Sequence, residues 1–302
     1  MSAAGEARRR SGLAALVGWT NVGKSSLLNR FVGEKVAAVA DAPQTTRHRI
    51  LGVRSLEGRG QIVFVDTPGL HRPRYRLNRN MVRRAEDSLA GVDVALLVVD
   101  AARGLGPGDE QAASLVRRAG GVGIAVLNKI DLVHPKDRLL PIMDRVVREW
   151  GMREAIPVSA RTGEGCDGLL ATVVDALPEG SPLFPEDQYT DQPERALAAE
   201  WIREKVVLHT REEIPHATAV LIERWTADEG NLVEISASIL VERESQKAIV
   251  IGRGGELLKR VGTEARRDLE ALLGTRVFLE LWVKVRPGWR NDERALQDLG
   301  LG

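Results

Sequence analysis

The chain is expected to fold as an α/β P-loop domain, a mostly parallel sheet with helices on both faces, followed by a small α+β domain. Three observations carry this. A Gly-x4-Gly-Lys-Ser loop, Gly18-Trp19-Thr20-Asn21-Val22-Gly23-Lys24-Ser25, joins an apolar run to a helical pattern. Downstream of it, apolar runs and helical patterns alternate as far as about Leu177. Past a proline-rich break the order changes to α-β-β-α-α-β.

Taken in order, strands are expected at 13–17, 50–56, 61–65, 94–99, 122–127 and 154–158, because each is a short apolar run bounded by turn residues. Helices are expected near 24–32, 78–90, 109–119, 136–149 and 165–176 from apolar residues at helical spacing. Residues 1–11, with Arg8-Arg9-Arg10 and no apolar signal core, read as a mobile tail, and 12–177 as the nucleotide-binding domain. Four prolines between Pro178 and Pro193 mark 178–194 as a linker. In 195–302 a helix at 195–209 precedes strands at 217–225 and 232–242, which turn through Asp228-Glu229-Gly230-Asn231. A short helix ending at Ile251, a helix at 256–273 and a strand at 277–286 complete that domain.

Composition narrows the class. The 302 residues are 43% hydrophobic and 28% charged, which excludes global disorder. The single cysteine, Cys166, can form no internal disulfide, points to a reducing compartment and reads as a packed residue rather than a nucleophile. No apolar run reaches the roughly 18 residues of a membrane span. Net charge is +1, but residues 1–184 carry +6 and 185–302 carry −5, so a nucleic-acid site in the second half must be a local patch.

The loop is a phosphate cradle. Its glycines let backbone N–H groups turn inward, and the following helix adds its positive N-terminal end. The expected nucleotide contacts run from Gly18 through Asn21, Val22, Gly23, Lys24 and Ser25 to Ser26, with Lys24 reaching the β- and γ-phosphates and the Ser25 hydroxyl binding Mg²⁺. Asp66-Thr67-Pro68-Gly69 ends another apolar run; Asp66 is placed to hold Mg²⁺ through water, and the Gly69 N–H to sense the γ-phosphate. Asn128-Lys129-Ile130-Asp131 selects the base. Asp131 can accept two hydrogen bonds from guanine that adenine cannot donate, Asn128 can tie this loop to the cradle, and the Lys129 stem can lie on the purine. A backbone N–H at Ser159-Ala160 can meet the guanine carbonyl.

A second site is expected at Gly252-Arg253-Gly254-Gly255, between two helical patterns. Such a turn brings bare backbone close to a nucleic-acid backbone and in KH domains clamps about four nucleotides. Arg253, Lys259 and Arg260 supply charge beside it. Arg72, Arg74, Arg76, Arg79, Arg83 and Arg84 read either as a solvated helix face or as an RNA or ribosome contact. The tryptophans are mostly ambiguous: Trp282, alternating with Leu281 and Val283, is a candidate for the core, and Trp289 reads either as a stacking platform or as a packed tail.

These motifs together resemble the bacterial Era GTPases over nearly the whole chain. Pro43-Gln44-Thr45-Thr46-Arg47-His48-Arg49-Ile50 looks like the family's switch region, Ile249 to Lys259 like its KH loop, and Phe278 to Val285 like its last strand. The resemblance implies a Ras-like GTPase domain and a type II KH domain. It also implies binding to the 3′ end of small-subunit ribosomal RNA, a role in maturing the small ribosomal subunit, and peripheral association with the inner membrane from the cytoplasm. It implies GTP and GDP as ligands, a monomer, Thr46 completing the Mg²⁺ shell, and Thr45 near the γ-phosphate. Leu70 follows Gly69 where Ras has a water-orienting glutamine. In relatives of this class the loop asparagine, here Asn21, helps to bind K⁺. Trp19-Thr20 departs from the family's loop, whose second position is generally proline, while the phosphate-cradling positions are intact. The expectation is a slow GTPase whose nucleotide state switches RNA engagement, with an RNA-binding assembly scaffold of vestigial hydrolysis as the alternative.

Overall fold

The computed structural model describes residues 9–40, 46–70, 75–227 and 231–302, which divide into two units. In the first, strands β1 (Arg10–Val17), β2 (Ile50–Leu56), β3 (Gly60–Asp66), β4 (Val94–Asp100), β5 (Val122–Asn128) and β6 (Glu154–Pro157) form one sheet in the order β2-β3-β1-β4-β5-β6. All neighbours run parallel except β2, which pairs antiparallel with β3. The helices are α1 (Lys24–Val32), α2 (Arg76–Asp87), α3 (Pro107–Ala119), α4 (Leu139–Arg148) and α5 (Cys166–Ala176).

Period-2 alternation divides the apolar residues of each strand between two cores. Ala14 and Leu16 of β1 join Leu27, Leu28 and Phe31 of α1 and Leu169 and Val173 of α5. Ala15 and Val17 join Ala112 and Val116 of α3 and Val146 of α4. Each fully buried leucine contributes about 2–3 kcal/mol relative to exposure, so the sheet is a rigid base for the loops at its carboxyl edge. Register aligns those loops: Leu16 pairs with Asp66 and Asp100 with Asn128.

Two boundaries differ from the sequence reading. Arg10 and Ser11, expected in the tail, begin β1, because their backbones meet the β3 turn and Pro178. The proline-rich stretch is tethered as far as Thr190. Buried Gln61 takes the N–H groups of Leu183 and Phe184 on its Oε1 and donates to the Phe184 carbonyl. Farther on, the Tyr189 carbonyl accepts from Val53 N–H and the Thr190 hydroxyl donates to Leu51 O. This stretch therefore covers β2, the edge strand of the sheet.

The second unit holds α6 (Glu194–His209), α7 (Ile214–Ala217), β7 (Ala219–Ala227), β8 (Leu232–Val241), α8 (Glu244–Ile251), α9 (Glu256–Leu273), β9 (Arg276–Val285) and α10 (Glu293–Asp298). Its sheet runs β7-β8-β9, antiparallel then parallel. Trp201, Ile202 and Val206 of α6, Ile235 and Ile239 of β8, and Val261 and Leu269 of α9 form its core. Residues 75–80 also cluster with this unit: the Arg290 guanidinium lies 3.8 Å from the Tyr75 ring, and Arg76 pairs with Glu293 at 2.9 Å. Trp289 is fully buried and donates to Ala217 O at 2.9 Å, so it belongs to a packed tail. Trp282, expected in the core, is 43% exposed, because alternation in β9 turns Val277 and Val283 inward and Phe278 and Trp282 outward. The turn at Asp228–Gly230 lies outside the described residues.

Candidate functional site

The cradle is built where β1 gives way to α1. Gly23, the residue before α1, has φ 96°, and a Cβ there would sit 2.2 Å from the Asn128 amide nitrogen. Only glycine satisfies both constraints. Asn128 donates to Val22 O at 2.8 Å and accepts from Ala160 N–H at 3.0 Å, so one amide joins the phosphate loop to the two base-side loops. The Lys129 ammonium binds Asn21 O at 2.8 Å and Asp100 at 2.7 Å, adding a second tie to the cradle. Gly18, Val22, Gly23, Lys24, Ser25 and Ser26 thus occupy one strand-to-helix turn, with Asn21 exposed at its tip.

Lys24 is buried and donates to the carbonyls of Gly18 (3.1 Å) and Trp19 (2.9 Å). Burial pushes its ammonium down to about 8, against the opposing charge of Asp66. Asp66 has no exposed surface, and burial pushes its carboxyl up, opposed by Lys24 and by the hydroxyls of Ser25 and Thr46. Those hydroxyls lie 2.6 Å apart, and both donate to Asp66 Oδ2, at 2.7 and 3.2 Å. Asp66 Oδ1 is buried with no hydrogen-bond partner. An unpartnered carboxylate oxygen beside two hydroxyls is a hard oxygen set that suits Mg²⁺, which takes few protein ligands and keeps water and phosphate for the rest. Thr46 therefore stands in this cluster, whereas Thr45 lies outside the described residues. Gly69 backs onto the cradle: a Cβ there would lie 3.2 Å from Lys24 Nζ.

On the base side, Asp131 receives the Ser159 hydroxyl at 2.6 Å and the Arg161 guanidinium at 2.6 Å. The Ser159 hydrogen bond and the Arg161 charge hold its carboxyl below the usual range, so it is an acceptor at neutral pH. The Ser159 N–H goes to Glu164 O, and the Ala160 N–H to Asn128 Oδ1, so a base carbonyl at Ala160 has to share that donor. Cys166 is buried against Ser159 O, and burial pushes its thiol up, which suits packing and not nucleophilic attack.

In the second unit, Gly252, Gly254 and Gly255 have φ of 75°, 60° and 82°, so the turn between α8 and α9 is one only glycines make without strain. Nothing lies within 4 Å of a Cβ built at Gly254 or Gly255, which leaves their backbone open to a ligand. Beside them runs a groove of about 420 Å³, lined by Lys259, Thr263 and Arg266 of α9 and by Leu279 and Leu281 of β9. Arg253 lies in the turn and outside that lining, and Arg260 turns from it to Glu264 at 3.0 Å. Arg266 was missed in the sequence, although positions 259, 263 and 266 share a helical face. Of the arginines after Gly69, Arg72 and Arg74 lie outside the described residues, Arg76 pairs with Glu293, and Arg79 and Arg83 are exposed on α2.

Comparison with known proteins finds a family match in each unit. Residues 13–129 match the family model described as a 50S ribosome-binding GTPase, and residues 213–290 match that of the KH domain. GTPase Era of Syntrophus aciditrophicus (strain SB) is 47% identical over 292 residues, 96% of this chain and 95% of its own. GTPase Era of Geobacter sp. (strain M21) is 47% identical over 298 residues, 98% and 99% of the two chains. A crystal structure of Era with MgGDPNP and nucleotides 1506–1542 of 16S ribosomal RNA superposes with a TM-score of 0.94 at 41% identity, covering 97% of this chain and 99% of that one. An Aquifex aeolicus Era variant bound to GDP and AlF4⁻ gives 0.93 at 41% identity over the same shares. The chain belongs to the Era family of GTPases.

Proposed function

We propose that this GTPase binds GTP with Mg²⁺, hydrolyses it slowly, and uses the bound nucleotide to govern how its second unit holds small-subunit ribosomal RNA near the 3′ end during assembly of that subunit. The observation that carries the nucleotide half is the Ser25–Thr46–Asp66 cluster around an unpartnered carboxylate oxygen. The RNA half is supported by the open glycine turn and its basic groove, and by a relative of nearly full coverage bound to such an RNA.

Backbone donors of residues 18–26 and the Lys24 ammonium hold the phosphates, and Asp131 reads the purine. Mg²⁺ bound beside Ser25, Thr46 and Asp66 would neutralise charge on the β- and γ-phosphates. Asp66 accepts from both hydroxyls and so orients their oxygens. Lys24 and the backbone donors stabilise the charge that develops during transfer, and no side-chain base is needed. Asn21 is assigned to a K⁺ that adds to that stabilisation. Residues 75–80, a few positions after Gly69 in the chain, cluster with the RNA-holding unit, which gives loss of the γ-phosphate a covalent route to it. In this reading 195–302 is the RNA-binding module. Placement in the cytoplasm, with peripheral attachment at the inner membrane face, rests on the family resemblance alone. Among the described residues no helix is long and apolar enough to cross a membrane.

Single-turnover GTP hydrolysis in K⁺ against Na⁺, with and without an oligonucleotide of the 16S 3′ end, tests the reading. Turnover is expected to be slow, faster in K⁺, and responsive to the RNA. Negligible turnover under every condition would favour the assembly scaffold.

A further inference from the structure

Leu70 begins beside the phosphate site and ends in the core. Its neighbour Gly69 lies against Thr20 and the Lys24 ammonium. Leu70 itself is 2% exposed and belongs to the buried cluster that the sheet shares with α3. Its N–H donates to Gly18 O at 3.2 Å, and its backbone runs in a parallel bridge with Trp19.

Trp19 completes this arrangement from the cradle side. Its indole packs on the apolar cluster that contains Leu70. It also lies against the first turn of α3, where a Cβ on Gly108 would fall 2.4 Å from ring atoms Cδ2 and Cε3. The Trp19 carbonyl serves Lys24, but that contact is backbone and independent of the side chain.

We propose that the Trp19 indole is a positioning residue for hydrolysis: seated on Gly108, it holds Leu70 in the core and keeps that leucine out of the space where the attacking water must lie. A leucine offers water no hydrogen bond, so Leu70 turned towards the γ-phosphate would displace the nucleophile rather than orient it. The inference presupposes that the chain binds and hydrolyses GTP, and the same assay separates the two. Wild-type protein that neither binds nor turns over GTP would remove the functional reading itself.

The test compares Trp19→Ala, Trp19→Phe, Gly108→Ala and the double variant Trp19→Ala/Gly108→Ala, measuring the GTP dissociation constant by titration and hydrolysis by single turnover. Trp19→Ala is expected to slow hydrolysis about fivefold or more, as small misplacements at a reacting centre do, with the dissociation constant within about twofold. Trp19→Phe, which keeps an aromatic ring over Gly108, is expected to restore most of the rate. Gly108→Ala pushes the indole off its seat from outside the cradle and is expected to slow hydrolysis likewise. In the double variant the two effects should not multiply, since both act through one contact. An unchanged rate in Trp19→Ala, affinity and rate lost in proportion, no rescue by phenylalanine, or multiplying effects in the double variant would each overturn the proposal.

Discussion

Helices α1 and α9 start from the same device, a glycine with left-handed backbone at the residue before the helix, yet their surroundings are opposite. At Gly23 the space beside the backbone is filled by the Asn128 amide, and the neighbouring side chains bond to one another: Ser25 to Thr46 and Asp66, Lys129 to Asn21 and Asp100. At Gly254 and Gly255 the space is empty, and Lys259 lines an open groove. The first arrangement is closed on itself and tolerates only a ligand that meets fixed donors. The second leaves backbone bare for a chain of variable sequence. Selectivity for a small molecule comes from internal ties, and accommodation of a polymer comes from their lack.

The largest break in this comparison is Lys24→Ala. Removing the buried ammonium assigned to the phosphates should weaken GTP by about 100-fold or more, read by titration with a fluorescent nucleotide, and RNA binding by the second unit should persist but lose its dependence on GTP. Next come matched alanines in the two turns. Gly23→Ala drives a methyl into Asn128 as well as straining the backbone, so it should destabilise the fold by about 2–4 kcal/mol and weaken GTP about tenfold or more. Gly254→Ala meets nothing and should cost about 1–2 kcal/mol of backbone strain, with GTP affinity unchanged and RNA affinity reduced. Urea denaturation with both titrations checks the pair, and equal costs would erase the contrast.

A third distinction is titrable. The Lys24 ammonium is held down to about 8 by burial in the free protein, and phosphates beside it would raise it again. Binding then takes up a proton above that pH. GTP affinity should hold below pH 8 and fall as pH rises through it, approaching about tenfold per pH unit. Calorimetry at several pH values measures it. The smallest effects are in the groove: Lys259→Ala or Arg266→Ala should each weaken RNA severalfold and lower the salt slope by about 1. Arg260→Ala should change affinity by less than about twofold because Glu264 already engages that guanidinium. Filter binding across a salt series distinguishes them.

Most of the first unit was legible because its strands are apolar on both faces. Such runs are conspicuous in sequence, and β2, β4 and β5 fall within a residue of their expected bounds. The phosphate and base motifs were readable for a related reason: each depends on a few residues at fixed short spacing. What escaped depends on partners distant in sequence. Nothing near residue 183 shows that Gln61 will take its N–H, and nothing near Trp289 that Ala217 will accept from its indole. The four-residue α7 and six-residue α10 are too short for a periodic signal. Trp282 is a different case, since simple alternation with Val283 already placed it on the opposite face of β9.

Asn128 shows what a shared part does to a binding site. One carboxamide spans the loops assigned to the two ends of the nucleotide, so neither loop can relax without loosening the other. Grip on charge and choice of base are then a single property of this fold, and no substitution at that joint trades one against the other.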